Sequence, residues 1–107
     1  MDLTRKNIFD TVGINLTDEF IETILPRDSF NVERIISEGH ASPSDFWYNQ
    51  DTNEFVLLLK GEAEIQFEDG SLNLLPGDYF VIPKHKKHRV NKTHPTEKTF
   101  WLTIHYQ

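Results

Sequence analysis

The stretch from Glu54 to His88, EFVLLLKGEAEIQFEDGSLNLLPGDYFVIPKHKKH, constrains the fold of this chain more than any other. It packs strands and turns into a short space, opening on a carboxylate and closing on an imidazole. Phe55 to Leu59 is a continuous apolar run, which predicts a strand buried on both faces. Ala63, Ile65 and Phe67 then alternate with Glu62, Glu64, Gln66 and Glu68, the pattern of a strand with one face inward and one in water. Asp69-Gly70 predicts a hairpin turn because both residues tolerate positive φ, and Leu72, Leu74 and Leu75 return from it. Pro76-Gly77-Asp78 gives a second turn before the strand Tyr79 to Ile82, and Pro83 to Lys87 is a polar connector. His88 to Asn91 and Thr99 to Tyr106 complete the strands, separated by a loop through Pro95. A small barrel would bring Glu54 and His88 together at strand ends.

Upstream, the pattern differs. Thr17 can cap a helix with Asp18 and Glu19 in its first turn, where the helix dipole favours anions. Phe20, Ile21, Ile24 and Leu25 fall on one helical face and Pro26 ends the segment. Asn7 to Val12 reads as another short turn. From Phe30 the period becomes two, with Val32, Arg34 and Ile36 alternating with Glu33, Ile35 and Ser37. The polar stretch His40 to Asn53 holds three adjacent aromatics, Phe46, Trp47 and Tyr48, which suit either a plug on a barrel end or a ligand-facing wall. Roughly seven or eight short strands at about 8–12-residue spacing, without βαβ alternation, indicate an all-β sandwich or barrel. The division expected is an N-terminal arm with a short helix over residues 1–29 and a β-barrel over residues 30–107.

Bulk properties narrow the partners. The chain has 107 residues, enough for one domain. Its net charge of −6 argues against a nucleic-acid partner, which needs a basic field. The absence of cysteine removes disulfides, thiolate zinc sites and a cysteine nucleophile. No apolar run is long enough to cross a membrane and MDLTRKNIFD lacks a signal-peptide core, so a cytoplasmic protein is expected. Lys84, Lys86, Lys87, Arg89 and Lys92 form a local basic run, read as a solvated connector or as a rim attracting a carboxylate or phosphate.

The motifs resemble those of the cupin superfamily, in particular small single-domain cupins. Glu54, six residues and Gly61 match the end of the first cupin motif. Gly77, five residues, Pro83 and then His88 match the second, with His85 where that motif has glycine and Asn91 one position before its closing asparagine. The stretch FWYNQD also resembles a group of small bacterial cupins. The resemblance covers roughly Val32 to His105 and implies a double-stranded β-helix, or jelly-roll, barrel. Metal-binding cupins carry His-x-His before the glutamate. Here those positions are Tyr48 and Gln50 with a gap of three, or Trp47 and Asn49 with a gap of four. The shorter gap keeps Tyr48, Gln50 and Glu54 on one face of an extended segment.

Three chemistries follow. A divalent metal (Zn, Fe, Mn or Ni) would take Gln50, Glu54 and His88, with Tyr48 a poor fourth ligand and Asp51 or His105 as possible completions. A metal-free pocket would use the same polar groups within walls of Phe46, Trp47, Tyr48, Tyr79, Phe80 and Trp101, with His105 also lining it, and would suit a small-ligand binding or sensor module. A metal-dependent dioxygenase or isomerase acting on a small polar metabolite is one catalytic alternative, and acid–base catalysis without metal, with Glu54 and His88 as base and acid as in an isomerase or epimerase, is another. The expected partners are a small-molecule ligand and a second copy of the chain in a homodimer joined through edge strands.

Overall fold

The computed structural model describes residues 3–107. The elements are strands: β1 (Phe20–Pro26), β2 (Phe30–Ser37), β3 (Asn53–Lys60), β4 (Ala63–Phe67), β5 (Gly70–Leu74), β6 (Tyr79–Ile82), β7 (His88–Thr93) and β8 (Thr99–Tyr106). They form a five-stranded sheet in the order β1-β2-β8-β3-β6 and a three-stranded sheet in the order β5-β4-β7, with antiparallel pairing throughout. Among the described residues, no helix is long and apolar enough to cross a membrane.

Strand periodicity decides what faces inward. In the larger sheet Ile21, Ile35, Trp101 and Leu58 lie side by side across four strands. The next inward row is Glu33, Thr103, Val56 and Phe80, and the one beyond it contains His105, Glu54 and Ile82. Ala63, Ile65 and Leu74 of the smaller sheet close against these rows, giving a core of Val56, Leu58, Ala63, Ile65, Leu74, Ile82 and Trp101. The barrel interior is therefore apolar at one end and carries Glu33, Glu54 and His105 at the other. The outer face is covered in part by the N-terminal segment. Phe9 packs edge-on to Phe100 at 5.2 Å, and the buried Arg34 donates to the backbone oxygens of Ile8 (3.1 Å) and Asp10 (2.7 Å) while pairing with Glu22 at 3.0 Å.

Two expectations are corrected. The helix expected after Thr17 is strand β1, the edge strand of the larger sheet. A seven-residue helix has little stability of its own, whereas β2 offers an open edge of backbone donors and acceptors. A bulge at Ile24 lets the same apolar spacing serve a strand: Ile21 pairs with Ile35 on the inner face, and after the bulge Leu25 pairs with Val32 on the outer face. The hairpin expected at Asp69-Gly70 is present one residue earlier. Phe67 pairs with Gly70, so Glu68 and Asp69 form the turn and Gly70 begins β5.

Gly61 joins β3 to β4 at φ +88°, a backbone conformation costly for residues with a Cβ. A Cβ there would lie 2.6 Å from the Cα of the fully buried Thr99, so the chain cannot yield locally. We predict that Gly61→Ala lowers unfolding free energy by about 2–4 kcal/mol, combining left-handed strain with the clash. Urea denaturation of the two proteins measures this directly.

Candidate functional site

The polar end of the barrel encloses a cavity of about 110 Å³. Alternation brings Tyr48, Gln50 and Glu54 to it, as the three-residue gap requires, because odd-numbered Trp47 and Asn49 point the other way. Tyr48 is fixed by a two-way backbone bridge to His88, with Tyr48 N–H donating to His88 O at 2.7 Å and His88 N–H to Tyr48 O at 3.1 Å. Its ring stacks on the His88 imidazole at 5.5 Å between centroids. Trp101, Thr103 and His105 enter from β8, and Glu33 and Ile35 from β2.

At the mouth, Asn49, Asp51, Thr52 and His85 surround a polar depression that shares Gln50 and His105 with the cavity. His85 occupies the motif's glycine position and has φ 65°, the left-handed geometry glycine would adopt freely. Its N–H donates to Gln50 O at 2.7 Å, and its Nδ1 lies 3.1 Å from Asn49 Oδ1. This strained turn pins the segment carrying Gln50.

Glu54 is the electrostatic centre of the site. Its side chain is 12% exposed, with His88 Nε2 3.7 Å from one carboxylate oxygen and His105 Nε2 3.9 Å from the other. Both separations exceed hydrogen-bond length. His105 Nε2 is closer to Glu33, at 3.2 Å. His88 Nδ1 lies 2.9 Å from Lys86 O. A carbonyl only accepts, so Nδ1 carries a proton and, in a neutral ring, bare Nε2 faces the carboxylate. A proton or another positive or hydrogen-donating group between Nε2 and Glu54 resolves that opposition. Gln50 Oε1 and Thr103 Oγ1, both buried, have no hydrogen-bond partner among the described residues.

These groups do not titrate as they would in water. Burial chiefly raises the Glu54 pKa; His105 and His88 pull it down, and Glu33 adds to the rise. Burial also raises that of Tyr48, with Glu19 and Glu54 adding to the effect, so Tyr48 remains a neutral phenol.

Of the residues expected at the site from sequence, Gln50, Glu54, His88, Tyr48, Trp101 and His105 line the cavity, whereas Phe46, Tyr79 and Phe80 are not among its lining residues and Asp51 lies at its mouth. Trp47 lies in a separate surface depression with Asp45, Gln66 and Arg89, because two consecutive residues of an extended segment cannot both face inward. Sequence reasoning did not single out Glu19, Glu33 or Thr103. Thr103 was accessible from its spacing to Trp101 and His105, whereas β2 alternates mixed residues on both faces and gave no direction for Glu33. The basic run stays outside: Lys86 pairs with Asp69 at 3.0 Å, and neither the cavity nor its mouth contains lysine or arginine among the described residues.

The raised Glu54 pKa means that the folded state holds its proton more tightly than the unfolded chain. The resulting stability is fully present below the unfolded carboxyl pKa and is lost as pH rises through the folded value. We predict that Glu54→Gln has a higher Tm than the parent near pH 8, and that the gap narrows towards about pH 4. Thermal unfolding across that range tests the sign.

Comparison with known proteins agrees with this fold. Residues 33–105 match the Cupin domain family. A Ralstonia eutropha JMP134 protein of known structure, provisionally named a mannose-6-phosphate isomerase, is 37% identical, with 97% of this chain and 98% of that one aligned at a TM-score of 0.90. A cupin superfamily protein from Desulfitobacterium hafniense DCB-2 shares the fold at 20% identity, with 86% and 80% coverage and a TM-score of 0.72. A cupin-2 domain protein from Shewanella frigidimarina does so at 22% identity, with 82% and 80% coverage and a TM-score of 0.65. No protein of curated function matches the chain. The antiparallel jelly-roll architecture, both motifs and these matches agree: the chain belongs to the cupin domain family.

Proposed function

We propose that this cupin binds a small polar molecule in its barrel cavity, with Glu54 as the principal anchor. The observation that carries the reading is the opposition at 3.7 Å between Glu54 and His88 Nε2 within a largely apolar enclosure. A few oriented polar groups in apolar walls are what small-ligand sites present. Gln50 Oε1 and Thr103 Oγ1, buried without partners, add two more such groups. The Ralstonia relative's provisional name implies an isomerase acting on mannose 6-phosphate. An isomerase role here would make Glu54, whose pKa is raised, the group that moves a proton.

A second reading is favoured by the His88 tautomer. With Nδ1 fixed by Lys86 O, Nε2 is oriented as in metal-binding histidines. A divalent Zn, Fe, Mn or Ni ion would then be held by Gln50, Glu54 and His88. Glu54 and His88 are strong donors and Gln50 is a weak neutral one. Among the described residues, no three of His, Cys, Asp and Glu form a chelating group. The metal reading therefore rests on two strong ligands, and the small-molecule reading comes first.

Elemental analysis of protein purified without chelator, beside His88→Ala, separates the two. The first reading predicts metal well below one equivalent in both samples. It also predicts that a panel of small polar metabolites including mannose 6-phosphate contains a compound that raises the parent's Tm and does not raise that of Glu54→Gln. Ligand at about one hundred times Kd stabilises by about 2.7 kcal/mol, an easily read shift. Near-stoichiometric metal that disappears in His88→Ala would overturn the first reading in favour of the second.

A further inference from the structure

The charges around the cavity are one-sided. Glu19, Glu33 and Glu54 all line it, and its two imidazoles are the only basic groups among the described lining residues. Glu33 and Glu54 both approach His105 Nε2, at 3.2 and 3.9 Å, while among the described residues no three acidic or imidazole groups form a set that could hold a metal ion. Glu19 accepts from Ser37 Oγ at 2.7 Å and Glu33 faces His105 at 3.2 Å, so each is anchored at a different part of the rim.

A second observation, independent of charge, points to an organic ligand. Thr103 is 1% exposed and lines the cavity, yet its hydroxyl has no partner among the described residues. An unpaired buried hydroxyl is costly, and a ligand hydroxyl would satisfy it. Gln50 Oε1 is an unpaired acceptor that calls for a donor. The rings of Tyr48 and Trp101 supply electron-rich faces of the kind that bind organic cations.

Building on the small-molecule reading above, we infer that the cavity selects a small organic amine that also carries a hydroxyl, and that it excludes anions of the same size. Its ammonium group lies towards Glu54 and Glu33, and its hydroxyl towards Thr103. At about 30 Å³ per water-sized group, a cavity of about 110 Å³ holds roughly four non-hydrogen atoms. The buried carboxylates repel an anion and attract a cation more strongly than they would in water.

Three probes of nearly equal size separate charge from shape: ethanolamine (cationic), ethylene glycol (neutral) and glycolate (anionic). Each is titrated into the protein at pH 7.5 and constant ionic strength, with and without chelator, and binding is read from chemical-shift changes of the cavity residues. The expected result is ethanolamine binding at least tenfold more tightly than ethylene glycol, no glycolate binding, and no effect of chelator. Thr103→Val keeps the side-chain shape and removes the hydroxyl. It should weaken ethanolamine at least threefold while the Tm of the ligand-free protein stays level or rises. Glycolate or ethylene glycol binding as tightly as ethanolamine would overturn the charge assignment while leaving the small-molecule reading intact. Undiminished ethanolamine binding in Thr103→Val would overturn the hydroxyl assignment. If no probe binds, or binding disappears with chelator, the charge assignment and the small-molecule reading both fail.

Discussion

Strand β8 lies between β2 and β3, and this pairing positions almost everything at the polar end of the barrel. Register places Glu54 directly across from His105, and Thr103 between Glu33 and Val56. Both contacts join residues far apart in sequence, so their geometry depends on the whole sheet forming in one register. A slip of β8 by one residue would turn Thr103 and His105 outward and place Leu102 and Ile104 in the cavity, away from Glu33 and Glu54. The buried Trp101, seated between Ile35 and Leu58, opposes such a slip, because it would lose its burial at the same time.

The cost of this arrangement is concentrated in a few places. A carboxylate is held in an enclosure that favours its neutral form, against two imidazole nitrogens beyond hydrogen-bond reach. His85 holds a left-handed backbone that a glycine would adopt more cheaply, and its bonds to Gln50 and Asn49 give that strain a local consequence. The strained His85 and the unpaired Gln50 Oε1 and Thr103 Oγ1 lie at this end of the barrel and support the proposal that it is the functional one, although a left-handed Asp45 and an unpaired Arg89 Nε lie at a separate surface depression.

Much of this was legible in the chain because the relevant signals are local. Alternation in Ala63, Ile65 and Phe67, the turn at Pro76-Gly77-Asp78 and the apolar run from Phe55 each specify a strand without knowledge of the rest. The spacing from Tyr48 to Glu54 likewise specified which residues share the cavity face. What was not legible depends on partners distant in sequence. Segment 20–26 has a helical spacing of apolar residues and becomes a strand because the edge of β2 is available and a bulge at Ile24 resets the phase. Glu33 sits in a strand whose two faces are similarly mixed, so only its pairing with β8 reveals that it points inward. Trp47 belongs to an aromatic run in which the inward residue is decided by the Tyr48–His88 bridge.

The most direct measurement is a long-range ¹H–¹⁵N correlation of the His88 imidazole near neutral pH. A proton on Nδ1, whether in the neutral ring or in the imidazolium, is the predicted result. It would confirm that Lys86 O orients the ring and that Nε2 is turned towards Glu54. A neutral ring with its single proton on Nε2 would contradict the arrangement, since Nε2 could then donate towards Glu54 directly and the site would need nothing between them.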